Sequence, residues 1–184
     1  FSGQPDNVLR LMREVLRVSD DNFPLGNIIE KFKGTSKTLS FDNDDLVNLI
    51  ACEYGEPYTY SALAFLYPNL DYRNRFHLDH IYPKWIFTKK ELLKQGISPE
   101  DIPAYLASFN SLCNLQLLEG VPNQEKSGKK FEQWVNDYFR DDVARNDYFK
   151  KNFIPDIEPT IENFLTFIEM RKHLLMSEFQ RLLA

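Results

Sequence analysis

Arg75-Phe76-His77-Leu78-Asp79-His80-Ile81-Tyr82-Pro83 is the stretch from which this 184-residue chain is best read. Apolar and polar residues alternate over 75–82 in the manner of a strand, and Pro83, which cannot donate to a ladder, ends it. Adjacent strand residues point to opposite faces, so Asp79 and His80 serve one site only if the strand ends or bends there. Pro83 provides for such an ending. Downstream, 89–94 and 99–109 read as two short helices separated by Gly96, and 112–118 is apolar enough for a partly buried second strand. Gly120 and Pro122 mark a turn. Beyond the basic run Lys126, Lys129 and Lys130, the residues Phe131, Trp134, Val135 and Tyr138 share one helical face. The expected order is strand, helical insertion, strand, turn, helix.

Helices are expected on both sides of this unit. Asp6 is placed to cap a helix over 7–18, where Val8, Leu11, Val15 and Val18 recur at helical spacing. Asp42 is placed to cap another carrying Leu46, Leu49 and Ile50, and 59–67 reads as a third, stopped by Pro68. A long amphipathic helix over 160–183 aligns Ile161, Phe164, Leu165, Ile168, Leu175, Phe179 and Leu182. Core packing is the ordinary role for such a face, and docking of a partner is the functional alternative. The expected fold class is α+β, predominantly α-helical. A helical scaffold over 1–70, a core unit over 71–140 and a C-terminal helical segment over 141–184 are expected to form one compact domain. The chain opens on Phe1 rather than Met, which reads as a domain cut from a longer polypeptide.

Composition narrows the function classes. With 43% hydrophobic residues, the chain can bury a continuous core. Its net charge of -5 argues against binding nucleic acid through a general positive field. Residues 71–95 run against that sign, with Arg73, Arg75, Lys84, Lys89, Lys90 and Lys94 facing only three acidic residues. Two cysteines, Cys52 and Cys113, exclude a disulfide framework and a four-cysteine zinc cluster, and make a reducing, cytoplasmic setting the default. No run approaches eighteen apolar residues and no signal peptide is evident, so membrane and secreted readings lose support.

Cutting a phosphodiester near neutral pH needs a base for the attacking water, a cation to offset charge on the phosphate oxygens, and positioning of both. His80 is the natural base, because a neutral imidazole takes a proton from water without prior rearrangement of charge. Asp79 and Asn123 supply one carboxylate and one amide oxygen, a set that suits Mg²⁺ (or Mn²⁺), which retains several waters.

Three separated blocks, Leu78-Asp79-His80-Ile81-Tyr82-Pro83, Asn114-Leu115-Gln116-Leu117-Leu118 and Asn123-Gln124-Glu125-Lys126-Ser127, resemble the HNH, or ββα-metal, nuclease signature. More narrowly, the His-x-x-Pro block with Asn-Leu-x-Leu-Leu and Asn-x-x-Lys-Ser is similar to the C-terminal nuclease domain of GmrSD-type modification-dependent restriction enzymes. The resemblance implies a small ββα-metal motif with a helical insertion over 71–140. It makes His80 the general base, Asp79 and Asn123 the metal ligands, and Asn114 the brace of the loop between the strands. Lys126 would face the phosphate, with Lys129 or Lys130 as alternatives. It also implies DNA as substrate, 5′-phosphate and 3′-hydroxyl products, and a role in defence against foreign, base-modified DNA. An N-terminal ParB-like NTP-hydrolysing domain would be the partner, this chain being the C-terminal, cutting part. Two departures stand out: 33 residues separate His80 from Asn114, longer than a minimal hairpin connection, and the third motif position is Asn123 rather than His.

Blander readings stand beside these. His77 is a candidate for substrate contact together with Arg75, Lys84, Lys129 and Lys130, but a strand histidine is more often structural. Asn114 reads equally as a turn residue, Cys113 as core, and His173 as part of a solvated face. Tyr72, Phe76, Tyr82 and Trp85 interleave with the basic residues, where they either stack on a nucleic-acid strand or fill the core. A catalytically inactive docking module that keeps the ββα shape is the alternative function. A structural zinc site on His77 and His80 lacks the thiolates such sites use. No phosphate-cradling glycine motif is present, so any NTP dependence resides outside these residues.

Overall fold

The computed structural model describes residues 5–19, 23–35, 37–38 and 41–183. The chain forms two compact units, one built on the N-terminal residues up to Asp45 and the other on Leu46–Leu182. In the first, α1 (Pro5–Arg17) lays Val8, Leu11, Met12 and Val15 against Ile28 and Phe32 of α2 (Leu25–Phe32). Pro5 at the start of α1 has no N–H to leave unsatisfied, and Asp6 in the first turn complements the helix dipole. α2 is a helix that the periodicity did not predict. α3 (Asn43–Ile50) begins with the expected cap: Asp45 N donates to Asp42 Oδ1 and Asp42 N donates to Asp45 Oδ2, each at 3.0 Å.

The second unit is α-rich, with one small antiparallel sheet. α4 (Thr59–Leu66) precedes β1 (Phe76–His80), which pairs with β2 (Leu115–Glu119) in a register that sets Asp79 opposite Gln116 and His80 opposite Leu115. Between the strands lie a 3-10 turn (Lys84–Ile86), α5 (Lys89–Lys94) and α6 (Ile102–Ser108). The expected second strand begins three residues late, because Leu112–Asn114 forms a 3-10 turn. The expected turn at Gly120 and Pro122 is instead α7 (Gly120–Lys126), which follows β2 directly and packs on both strands. Pro122 sits in its first turn, where a missing N–H costs nothing. α8 (Phe131–Tyr138), α9 (Asp142–Lys151) and α10 (Phe164–Leu183) complete the chain. Among the described residues no helix is long and apolar enough to cross a membrane.

This unit opens at Leu46 rather than at residue 71 because α4 packs on β2 and residues 52–54 run along the insertion. Leu112 N donates to Cys52 O at 2.9 Å, and Tyr54 N donates to Asn110 O at 2.8 Å. The core is aromatic: the buried Tyr82 ring meets Phe164 at 5.2 Å and Phe167 at 5.0 Å, both edge-on, and Phe87 lies 4.6 Å from Phe164. Phe164, Leu175 and Phe179 of α10 are fully buried, so its apolar stripe packs in the core rather than remaining open for a partner.

Arg171 fastens α10 to the strand pair. Its guanidinium is fully buried, and Nη1 donates to Cys113 O (2.8 Å) and Leu115 O (2.7 Å) while Nη2 donates to Asn152 O (3.1 Å). Replacing it with an apolar residue strands three acceptors, two of them buried. Charge-assisted bonds are worth about 1.5–3 kcal/mol each, and the relieved burial of the charge offsets part of their loss. Arg171→Met is expected to lower stability by about 3 kcal/mol in chemical denaturation; a change under about 0.5 kcal/mol would contradict this role.

Candidate active site

Asp79 and His80 close β1, and a groove of about 290 Å³ is lined there by both residues together with Lys84, Trp85, Asn123 and Lys126. The adjacency problem posed by the strand is resolved at its end. Ile81 N donates to Asn114 O at 2.7 Å, continuing the ladder by one bond, and then the chain turns away. Asn114, fully buried, holds that turn with its side chain. Its Oδ1 accepts from Tyr82 N at 2.9 Å, and its Nδ2 donates to Tyr82 O at 3.1 Å and Phe109 O at 2.8 Å. Its contribution is to the backbone around His80, not to the groove.

Lys126 is 3% exposed, and its ammonium is committed inward. Nζ pairs with Asp79 Oδ2 at 2.8 Å and donates to the backbone carbonyl of His80. It therefore lies on the floor of the groove rather than at its mouth. Burial lowers its pKa and the Asp79 carboxylate acts against that shift. Gln116 Nε2 donates to the same Asp79 Oδ2 at 2.8 Å. Among the described residues, Asp79 Oδ1 and the Asn123 side-chain amide have no protein partner.

His80 is 9% exposed and clamped on three sides. The Tyr54 ring lies 4.6 Å away, the Phe109 ring stacks at 6.2 Å, and Nε2 is 3.0 Å from Asn110 Oδ1. A carbonyl oxygen only accepts, so Nε2 carries the proton and Nδ1 is the nitrogen with a free lone pair. Burial lowers the His80 pKa below its ordinary 6.5; Asn110 and Asp79 act against that shift, while Lys126 and Lys84 add to it. At neutral pH the imidazole is therefore uncharged, as a general base requires.

The other expected residues separate. Lys84 is exposed at the groove mouth beside Trp85, whose Nε1 donates to Gly128 O at 3.0 Å. Lys129 pairs with Asp137 at 2.9 Å and Lys130 donates to Gln95 at 2.6 Å, so both are engaged away from the groove. Arg75 is exposed and His77 half-buried, and neither lines it. Tyr82 is core, Cys113 is buried and His173 is exposed. Sequence reasoning missed Tyr54 and Asn110, which no local pattern marks because only the tertiary pairing of 52–54 with the insertion brings them to His80. It also missed Gln116, whose signal was a lone amide in a run of leucines.

Among the described residues no group of three or more His, Cys, Asp or Glu converges. The oxygen donors available are Asp79 Oδ1 and the Asn123 amide, one charged and one neutral. That set fits a hard divalent cation that keeps most of its water. The Lys126 ammonium already offsets part of the Asp79 charge, so a cation there would be held more weakly than at an unpaired carboxylate. The chain matches no family model and no curated protein.

The direction of the His80 shift fixes a pH dependence. Folding disfavours the imidazolium, so just below pH 6.5 the unfolded chain binds more protons than the folded one. This contribution to stability is fully present above 6.5 and is lost as pH falls through that window. The His80 ring protons are expected to titrate in NMR with a midpoint below the ordinary 6.5, and His80→Gln is expected to flatten the acid-side loss of stability. A midpoint at or above 6.5 would contradict the burial argument.

Proposed function

We propose that this chain is a metal-dependent DNA endonuclease domain of the HNH type, with its ββα-metal site formed by β1, β2 and α7. The observation that carries the reading is the meeting of Asp79 and His80 with Asn123, from a second, separated motif block, in one groove with a buried, uncharged imidazole. His80 Nδ1 accepts a proton from the attacking water, and Asn110 holds the ring in the tautomer that allows it. The water oxygen bonds to phosphorus as the P–O3′ bond breaks, and the leaving O3′ takes a proton from solvent water, giving a 5′-phosphate and a 3′-hydroxyl. Asp79 and Asn123 would hold Mg²⁺ or Mn²⁺, which supplies positive charge beside the phosphate oxygens. Lys84 and Trp85 offer the DNA strand a cation and a ring at the mouth. Lys126 organises the site from below instead of meeting the phosphate.

By its resemblance to the GmrSD nuclease domain, the chain is the cutting module of a cytoplasmic restriction or phage-defence protein, partnered by a ParB-like NTP-hydrolysing domain and acting on modified DNA. One observation favours the alternative, an inactive docking module: the Asp79 carboxylate is already paired with Lys126. Plasmid cleavage decides between them. Nicking is expected with Mg²⁺ or Mn²⁺ and not with EDTA, and His80→Ala is expected to reduce it by about 10²–10⁴-fold. Equal activity in the variant, or no metal-dependent nicking of plain or modified plasmid, would overturn the assignment.

A further inference from the structure

Gln116 is the only polar side chain in Leu115-Gln116-Leu117-Leu118, and it is fully buried. A buried amide costs stability unless both of its ends are bonded, and an apolar side chain would serve packing alone better. Its cross-strand partner is Asp79, so the two side chains share one face of the sheet. Nε2 donates to Asp79 Oδ2 at 2.8 Å, and Oε1 accepts from the hydroxyl of Tyr148 on α9. Tyr148 is held by Trp134, edge-on at 5.4 Å, and by Phe139 at 4.9 Å.

We infer that Gln116 and Tyr148 are positioning residues for Asp79, forming a line of hydrogen bonds from α9 through β2 that fixes the carboxylate in the groove. The inference rests on the nuclease reading, because it assigns Asp79 to a cation. The polarity of the line follows from chemistry. A carboxylate only accepts, so the amide must present its nitrogen to Asp79 and its oxygen to Tyr148, and a phenol can donate to that oxygen. Burial raises the Tyr148 pKa well above its usual value, so the donating proton stays in place. With Oδ2 taking a hydrogen bond from Gln116 and an ion pair from Lys126, the carboxylate cannot rotate without losing both contacts, and Oδ1 is left as the oxygen open to a ligand. The line also gives α9, a helix with no fully buried residue, a place in the site.

Outer hydrogen-bond partners of metal ligands typically set affinity by 10–100-fold. The test is a Mn²⁺ titration of the 184-residue chain without DNA, read by electron paramagnetic resonance of the free ion. Wild type is expected to bind, Asp79→Ala to lose binding, and Tyr148→Phe and Gln116→Met each to weaken it by about tenfold. Tyr148→Phe keeps the ring and removes one hydroxyl, and circular dichroism checks that the fold is intact. The double variant is expected to bind no more weakly than Gln116→Met alone, because Tyr148 acts only through Gln116. Wild-type affinity in both single variants, or additive losses in the double, would overturn the inference and leave the nuclease reading standing. Absence of Mn²⁺ binding by wild type would overturn both.

Discussion

The ammonium of Lys126 is buried at the end of β1, where it reaches two consecutive residues at once, the carboxylate of Asp79 and the carbonyl of His80. A buried charge without a partner costs several kcal/mol, so α7, which carries Lys126, is locked to the strand that carries both partners. The same contact satisfies the last carbonyl of β1, where the regular ladder gives way to the turn braced by Asn114. Period-two alternation would otherwise separate Asp79 from His80. Lys126 and Asn114 hold the one stretch of backbone on which both can line a single groove.

The 33-residue connection between His80 and Asn114 does more than join two strands. Asn110 and Phe109, at its end, orient and cover the His80 ring, and its pairing with residues 52–54 brings Tyr54 to the opposite side. The imidazole thus owes its burial, and with it its uncharged state, to segments outside the motif blocks. The acidic chain as a whole offers little general attraction for a polyanion. In the proposed nuclease, Lys84 at the mouth would therefore carry more weight than Lys129 and Lys130, which are held by Asp137 and Gln95.

Strong local signals in the sequence translated directly into structure. Alternation gave β1, Asp42 gave the cap of α3, and the spacing of Phe164, Leu175 and Phe179 gave the buried face of α10. α7 was hidden because Gly120 and Pro122 signal a turn in isolation, although proline in a first turn is compatible with a helix. α9 falls within the expected C-terminal helical segment, but its bounds were not legible because it has no buried stripe and so no apolar period announces it. Asn114 carried both readings, turn residue and brace, and the structure shows it as both. The phosphate contact expected of Lys126 rested on the motif resemblance and on the charge of its ammonium. The register that sets Asp79 within its reach, and the burial that makes such a pairing obligatory, are properties of the packed sheet and not of the local sequence.

A double-mutant cycle of Asp79→Asn and Lys126→Met, read by chemical denaturation, tests most directly whether this pair organises the site. The account predicts a coupling energy of about 2 kcal/mol or more, within the range for contacting buried partners. Additivity within about 0.5 kcal/mol would contradict it, and would mean that Asp79 and His80 are held together by something other than the buried lysine.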